Sequence, residues 1–322
     1  MFDWRGVKSR VGAGLLAVAF GLALAAPGSS EAATAKGGSC NDACLTKILD
    51  KYLDGLEHHD VKRVPFAKTV RFSENNVMLK PGDAVWGTIS GIDHAKGLKF
   101  TDPQGQTAGY FGVITEHTLP AYFALSIKVS GGKIIEAESI VRRNESGPGK
   151  DPKAFQPDPY FGEVLPANER VSRAVLSQRA MGYFRTLDHN NGTLFTEFAN
   201  DCVRSENGQI TAAPMTDPNS KVKGCPDQLK LGELRRITGG RNATLVTDEA
   251  RGLVLSRAFL DHDGLLTEYP RTDGTIMQAF PHVVPQTWCV LELFKVRKGE
   301  ITRIQAVMIG CPYKIRSVWT GK

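Results

Sequence analysis

Two short acidic segments of this 322-residue chain carry side chains suited to proton transfer. Glu74 lies in Ser-Glu-Asn-Asn at 73–76, and Glu206 lies in Ser-Glu-Asn-Gly at 205–208. A carboxylate in a largely apolar pocket has a raised pKa and can act as a general base or acid near neutral pH. The same segments could instead satisfy backbone amides of a tight turn, since Asn tolerates positive φ. The sequence leaves both roles open.

Two histidines follow apolar segments and have carboxylates beside them in the sequence. His117 follows Glu116 in ITEH, and His262 lies between Asp261 and Asp263 in LDHDG. An imidazole oriented by a carboxylate is a common proton shuttle, which makes both histidines candidate catalytic residues. The alternative for LDHDG is an exposed hairpin tip whose charges are solvated.

Aromatic side chains form a third set of candidates. Tyr183 could donate a hydrogen bond to an enolate or alkoxide, and Tyr52 is its counterpart in the first half of the chain. Most aromatic residues belong in the core, but a few at a pocket mouth would suit a flat, apolar or aromatic ligand. The candidate ligand-binding residues are Trp86, Tyr110, Trp288 and Tyr313.

Several other functional signals are missing from the sequence. It has no GxSxG elbow, no phosphate-binding glycine loop and no dinucleotide fingerprint, so cofactor-dependent redox chemistry is disfavoured. No HxxxH or HExxH spacing supports a metal site. The net charge of +6 is spread along the chain without a basic run, which gives no support to nucleic-acid binding. We therefore expect no cofactor, no metal and no nucleic acid.

The elements that must position these residues occur twice. Residues 44–60 and 171–192 place apolar side chains at helical spacing. Each helix precedes a strand that ends in Ser-Glu-Asn. Later, ALSIKVSGGKIIEAESIV and VLELFKVRKGEITRIQAVM each predict two strands joined by a glycine-containing turn. Helices first and an antiparallel sheet afterwards indicate an α+β layer architecture, present in two copies.

The repeat predicts how the chain divides into domains. We expect a first domain at 41–143 and a second at 170–322. Between them, residues 144–169 contain five prolines and no apolar periodicity, which is typical of a linker.

The start of the chain predicts export. Basic residues precede an uncharged apolar run at 11–26, and small residues follow it, so 1–35 has the pattern of a secretory signal peptide. The run is short for a hydrocarbon core of about 30 Å. We expect a secreted or periplasmic protein with no stable membrane anchor after processing.

Six cysteines form an even set, which in an exported protein favours disulfides over a metal site. The sequence alone allows fifteen pairings. Proximity favours two pairs, and elimination leaves the third. The expected pairs are Cys40 with Cys44, Cys202 with Cys225, and Cys289 with Cys311.

At this point the residues resemble a known superfamily. YLDGLEHHDVKRVPFAKTVRFSENN and GYFGVITEHTLPAYFALSIKVSGGKIIEAESIVRR look like nuclear-transport-factor-2-like (NTF2-like, SnoaL-like) proteins, in particular an exported bacterial and fungal subgroup of unknown function. The resemblance covers about 41–143 and 171–319. It implies two NTF2-like cones, each a curved antiparallel sheet wrapped by helices. The tandem could replace the dimer of single-domain relatives, or the chain could form a homodimer.

The resemblance also implies a choice of functions. The superfamily includes scytalone-dehydratase-like and ketosteroid-isomerase-like enzymes as well as pockets without known chemistry. With the residues above, it implies a cofactor-independent lyase or isomerase acting on a small apolar or aromatic molecule by dehydration, double-bond migration or retro-aldol aldehyde release. The alternative is a periplasmic protein that binds such a molecule without chemistry. The second half has the richer set: Glu206, His262, Tyr183 and Tyr313.

Overall fold

The protein is described here by a computed structural model. It covers residues 39–143, 149–214, 223–278 and 284–321. The predicted signal peptide lies outside the described residues. The architecture is mixed α and β, with two curved sheets and few helices. We call residues 39–143 the first half and residues 170–321 the second half.

The first half has one sheet of seven strands. They are β1 (Phe66–Glu74), β2 (Val77–Leu79), β3 (Ile89–Ile92), β4 (Leu98–Asp102), β5 (Thr107–Glu116), β6 (Leu119–Ser130) and β7 (Lys133–Arg143). Their order is β2-β1-β7-β6-β5-β3, and β4 also pairs with β5. A short helix, α2 (Val85–Thr88), lies between β2 and β3.

Helix α1 (Asp42–Glu57) packs on this sheet. Its apolar residues recur every three or four positions and give it one buried face, which includes Leu45, Leu49 and Tyr52. Asn41 caps its first turn by accepting a 3.0 Å hydrogen bond from the Cys44 amide. The predicted helix is therefore confirmed.

The second half has one sheet of six strands. They are β8 (Phe198–Glu206), β9 (Gln209–Ala212), β10 (Gly239–Asp248), β11 (Leu253–His262), β14 (Gln286–Arg297) and β15 (Glu300–Cys311). Their order is β10-β11-β14-β15-β8-β9. Between β11 and β14, the strands β12 (Glu268–Pro270) and β13 (Ile276–Gln278) form a separate two-stranded ribbon.

Helices complete the second half and the segment before it. Helix α3 (Pro159–Gly162) lies in the predicted linker, α4 (Arg173–His189) packs on the six-stranded sheet, and α5 (Cys225–Lys230) follows β9. Ser172 caps α4, and the buried face of α4 includes Tyr183. Helix α4 thus repeats the place of α1.

Each sheet differs from the antiparallel expectation at one pair of strands. β1 lies parallel to β7, and β8 lies parallel to β15. Parallel neighbours need a long connection between them, and the segments from β2 to β6 and from β9 to β14 supply it. The strand that follows each helix therefore runs in the same direction as the last strand of its half.

The two sheets share an apolar cluster. We call the sheet face toward α1 or α4 the inner face and the opposite face the outer face. The outer faces meet through Phe111, Tyr122 and Ile140 of the first half and Leu255, Leu291 and Val307 of the second. Burial of this apolar area stabilises the contact between the halves. A buried ion pair, Arg257 Nη1 to Glu138 Oε2 at 2.6 Å, lies between the same sheets.

All three predicted disulfides are confirmed. They are Cys40–Cys44, Cys202–Cys225 and Cys289–Cys311. Such bonds persist in oxidising compartments, which agrees with the expected export. Within the described ranges, no helix has the length and hydropathy needed to cross a membrane.

Candidate active site

Three strands of the second half place charged residues side by side on the inner face. β8, β15 and β14 are neighbours, and Glu206, Ala306 and Glu292 lie opposite one another across them. Arg204 precedes Glu206 by two residues and therefore points to the same face. The small side chain of Ala306 lies between the Glu206 and Glu292 carboxyl groups. Their Cα atoms are about 10 Å apart, the width of two strand spacings.

Helix α4 brings Tyr183 to these residues. Its ring is 2% exposed and packs edge-on against Phe184 and Phe294. Its hydroxyl lies beside the Glu292 carboxyl and the Arg204 guanidinium. Burial raises the pKa of Tyr183 well above its usual value, so the hydroxyl stays protonated and can donate.

Arg204 is buried, and two of its nitrogens have partners. Nε donates to Thr211 Oγ1 at 3.0 Å and lies 3.4 Å from Glu206 Oε1. Nη2 donates to Gln228 Oε1 at 2.7 Å. Nη1 is buried and has no hydrogen-bond partner among the described residues. An unpaired buried donor costs roughly 1–3 kcal/mol and is uncommon, so Nη1 is a donor available to a bound group.

Glu292 and Glu206 have different environments. Burial, together with the nearby Glu206 carboxylate, raises the pKa of Glu292 to about 8. At neutral pH the Glu292 carboxyl is therefore protonated in most molecules. The side chain of Glu206 is 33% exposed, so it is where the cluster meets solvent. Two carboxyl groups in such unlike surroundings are suited to separate acid and base roles.

The disulfide Cys202–Cys225 braces this cluster. Cys202 precedes Arg204 by two residues on β8, and Cys225 opens α5, which carries Gln228. The bond therefore fixes α5 against β8 at the point where Gln228 accepts from Arg204. Because Gln228 is held in place, it also fixes the direction of the guanidinium.

The first half keeps Glu74 at the position of Glu206 but has apolar residues where the second half has Arg204 and Glu292. The paired glycines Gly132 and Gly299 place Leu125 at the position of Glu292, and the Ser-Glu-Asn repeat places Phe72 at the position of Arg204. Leu125 and Phe72 are 0% and 1% exposed and belong to the apolar core. The charged cluster is therefore a feature of the second half and is not needed to build the fold.

Glu74 has mainly structural partners. Its Oε2 accepts a 3.1 Å hydrogen bond from the Val85 amide at the start of α2. Its Oε1 lies 3.3 Å from Arg143 Nη2, and Arg143 also pairs with Glu116. Burial raises the pKa of Glu74. The contacts match the backbone-binding role that the sequence left open.

The Asn residues explain why the Ser-Glu-Asn segment is repeated. Asn75 and Asn207 have positive φ angles of 52° and 46°. The Asn75 side chain accepts from the Val141 amide at 2.9 Å and donates to the Val141 carbonyl at 3.2 Å. Asn207 does the same with Met308 at 2.9 and 3.0 Å. Each side chain extends the ladder of a parallel strand pair by one residue.

The structure contradicts the carboxylate–imidazole pair predicted at His117. This residue is exposed in the turn between β5 and β6 and has a φ of 54°. The neighbouring Glu116 carboxylate instead pairs with Arg143 and accepts from the Thr88 hydroxyl. The two side chains do not form a hydrogen-bonded pair because successive residues in a strand point to opposite faces or away from one another at a turn.

His262 also lacks the predicted carboxylate partner. It is 4% exposed at the end of β11, and its ring packs edge-on against Trp288 with centroids 6.1 Å apart. Burial lowers the pKa of His262 to about 4, so the ring is neutral at pH 7. Asp261 pairs with Arg241 and accepts from Thr287 Oγ1 at 2.6 Å. The alternative of an exposed hairpin tip is also wrong for His262.

The four residues predicted for the second pocket do not form one site. Ser256 of β11 lies opposite Glu292, and His262 is six residues farther along the strand. At about 3.4 Å per residue, His262 is about 20 Å from that point. Tyr313 follows β15 at the same end of the sheet as His262 and is 36% exposed. Of these four predicted residues, Glu206 and Tyr183 lie in the same site, and His262 and Tyr313 lie away from it.

Two of the predicted ligand-binding aromatics are core residues. Trp86 and Tyr110 are 1% and 0% exposed. Trp86 packs against Tyr52 and Phe66, and Tyr110 packs against Phe123. The large rings of Trp86 and Tyr110 fill the inner face of the first half, as the core alternative for aromatic residues expected. Trp288 is half-buried and lies beside His262, away from Glu206.

Glu292 and Arg204 were not identified as candidates from the sequence. Glu292 stands between Val290 and Phe294, which share its face of β14 and belong to the core. A charged residue at an inward position of an apolar strand was the available signal. Aligning the two halves gives the same signal, because Leu125 and Phe72 stand at the equivalent positions.

Comparison with known families gives one match. The model described as domain of unknown function (DUF8021) matches residues 169–308, which include α4, β8 and most of β15. No curated protein matches the chain.

Solved structures give distant likenesses. A protein provisionally named a ketosteroid isomerase from Kribbella flavida is 12% identical, covering 37% of this chain and 92% of its own, with a TM-score of 0.25. An NTF-2 like protein of unknown function from Burkholderia xenovorans is 10% identical, covering 36% and 96%, with a TM-score of 0.25. A protein of unknown function with a cystatin-like fold from Methylobium petroleophilum is 14% identical, covering 42% and 100%, with a TM-score of 0.28.

Proposed function

We propose that this protein is an exported, cofactor-independent lyase or isomerase that uses general acid–base catalysis in its second half. The observation that carries the proposal is the pairing of Glu292, a buried carboxyl with a pKa of about 8, with the partly exposed Glu206 across Ala306. A neutral acid and a solvated carboxylate on one face supply both proton-transfer roles without a cofactor.

The roles follow from burial and donor capacity. The Glu206 carboxylate removes a proton from a carbon next to a carbonyl group of the substrate. The oxygen that becomes negative receives hydrogen bonds from the Glu292 carboxyl and the Tyr183 hydroxyl. Arg204 Nη1 adds a charged donor. Such donors are more effective in a buried site than in water because the local dielectric is low.

The same residues can complete two reactions. In double-bond migration, Glu206 returns the proton to a different carbon of the substrate. In dehydration, the Glu292 carboxyl gives its proton to the departing hydroxyl, which leaves as water while Glu206 keeps the carbon-derived proton.

The comparison of the two halves supports a functional role for Glu292 and Arg204. Burying polar or charged groups costs free energy unless they are paired. The first half has apolar Leu125 and Phe72 at these two positions and keeps the same strand pairing. Glu292 and Arg204 are therefore not required by the fold.

The test is turnover by the purified mature chain without added cofactor. A panel of lignin-derived dimers and hydroxy-ketones is followed by mass spectrometry. We expect Glu206→Gln and Glu292→Leu each to lower turnover about 100- to 10,000-fold, as for a lost general acid or base. Glu292→Leu installs the residue that the first half carries at this position, so the variant should fold.

The matched control is Glu74→Gln in the first half. It should leave turnover unchanged, since Glu74 binds the Val85 amide and Arg143. Normal turnover by folded Glu292→Leu would contradict the proposed acid. Tight binding across the panel without conversion would instead favour the alternative, a protein that binds small molecules without chemistry.

A further inference from the structure

A segment that follows each half covers the sheet of the other half. After β15, the C-terminal segment passes over β1 of the first half. Arg71 Nη2 donates to the Val318 carbonyl at 3.1 Å, and the Asn76 side chain accepts from the Val318 amide at 3.1 Å. In the other direction, residues 149–161 pass over β8 and β15. There the Lys150 amide donates to the Asn207 carbonyl at 3.0 Å.

An indole lies on the covered outer face of the first sheet. Trp319 Nε1 donates to Ser73 Oγ at 3.1 Å, and the Arg71 guanidinium lies 4.5 Å from the centre of the indole ring. Ser73 is opposite Glu138 in the pairing of β1 with β7. The site therefore combines an acceptor hydroxyl from the first strand with a flat aromatic ring.

The equivalent place in the second half is a cavity of about 230 Å³. The Ser-Glu-Asn repeat makes Ser205 the counterpart of Ser73, and Val203 the counterpart of Arg71. Ser205 is opposite Gln305 in the pairing of β8 with β15. Both Ser205 and Gln305 line the cavity. A water molecule needs about 10–15 Å³, so the cavity is large enough for an organic molecule.

The walls suit an aromatic molecule. Tyr122 and Phe155 pack edge-on with ring centroids 5.6 Å apart, and Phe161 is buried beside them in the cluster between the sheets. Val203 and Ile210 close the side formed by the second sheet. These side chains exclude water from a flat apolar ring and give it large contact surfaces.

The polar groups of the cavity are available. The side chains of Ser205 and Gln305 make no hydrogen bond with any described residue. The Lys150 ammonium is exposed and forms no ion pair within the described ranges. Arg303, by contrast, is held by Asp158 at 3.0 Å, which balances the charge of that carboxylate. The cavity therefore offers a ligand one hydroxyl that can accept a hydrogen bond (Ser205), one amide (Gln305) and one cation (Lys150).

We propose that this cavity binds a planar aromatic acid with a ring N–H or O–H group. The ring occupies the place that Trp319 fills in the first half and donates to Ser205 Oγ, while its carboxylate faces Lys150. Gln305 contributes an amide at the ring edge. The site lies on the outer face of the second sheet and is separate from Glu206 and Glu292 on the inner face.

The experiment is calorimetric titration of the mature chain with two probes, indole-3-acetate and indole. We expect one equivalent of each to bind. Ser205→Ala should weaken both by about fivefold, the value of one neutral hydrogen bond. Lys150→Ala should weaken indole-3-acetate and leave indole unchanged. Val203→Phe, which fills the cavity, should abolish binding of both.

Ser73→Ala is the matched control, because Trp319 already occupies that hydroxyl. It should leave both affinities unchanged, and so should Glu292→Leu, which separates this result from the proposed catalysis. Equal weakening by Ser73→Ala, full affinity in folded Val203→Phe, or failure of both probes to bind at millimolar concentration would overturn the proposal.

Discussion

Glu292 and His262 show how burial acts on residues of opposite charge type. Both lie on the inner face of the second sheet and are almost fully enclosed. Burial disfavours the charged form of each group, so it raises the pKa of Glu292 to about 8 and lowers the pKa of His262 to about 4. Both side chains are therefore neutral at pH 7, one as a donor carboxyl and the other as a free imidazole.

This difference predicts the pH dependence of stability. The folded-state pKa of Glu292 is raised from 4.5, so its contribution is fully present below pH 4.5 and is lost as pH rises through about 8. Glu292→Gln should remove that loss, and its free energy of unfolding should fall less than that of the wild type between pH 5 and about 8. Urea unfolding at a series of pH values measures the difference, which cannot exceed about 1.4 kcal/mol per pH unit.

His262→Asn is the control with the opposite sign. Its folded-state pKa is lowered from 6.5, so the stability it contributes is present above pH 6.5 and is lost as pH falls through about 4. The variant should differ from the wild type mainly on the acid side. Identical slopes for the wild type and Glu292→Gln would show that Glu292 is ionised in the fold.

At the scale of residues, sequence reasoning found half of the candidate site. Glu206 and Tyr183 were identifiable because the repeat marks them and their side chains have proton-transfer chemistry. Glu292 and Arg204 were not identified, since which residues lie beside Glu206 depends on the pairing of β14 with β15 and of β15 with β8. His262 was misplaced for the same reason, because a sequence motif gives no distance along a sheet.

At the scale of elements, the turn after β1 and β8 is held by its Asn. Asn207→Gly keeps the freedom to adopt positive φ but removes two hydrogen bonds to Met308. We expect it to lower the free energy of unfolding by about 1–3 kcal/mol, because the Met308 amide and carbonyl lose their partner. Asn75→Gly should cost a similar amount through Val141.

Chemical denaturation compares these variants with Glu206→Gln. Since the Glu206 side chain is partly exposed, that change should affect stability less than Asn207→Gly. If Glu206→Gln proves the more destabilising of the two, the Glu and not the Asn holds the turn.

Some elements could be predicted from their own segment of the sequence, and others depend on which strands pair. Helices α1 and α4 were predictable because one apolar stripe and one N-terminal cap lie within each segment. The parallel pairs β1 with β7 and β8 with β15 were not, because those strands are far apart in sequence. Hairpins such as β14 with β15 were predictable, since a glycine turn connects them directly.

At the scale of the whole molecule, three kinds of contact join the halves. The outer faces share an apolar cluster, Arg257 and Glu138 form a buried ion pair, and each half is covered by a segment that follows the other. Burial raises the pKa of Glu138 to about 7 despite that partner. The two-domain division and the homodimer both stay predictions, and the shared cluster bears on how they are tested.

The last prediction concerns separation of the halves. Cutting the mature chain after residue 148 leaves each part with its own helix, sheet and inner core, so both should show strand structure by circular dichroism. Each isolated part would expose its outer face, including Tyr122 or Leu291, and should self-associate, because an apolar patch of this kind favours association.

Co-expressed parts should instead form a one-to-one complex in light scattering after size exclusion. Charge reversal by Arg257→Glu should weaken that complex, since it places two carboxylates together between the sheets. Two monomeric parts that do not associate would show that neither the outer faces nor the C-terminal segment holds the halves together once the chain is cut.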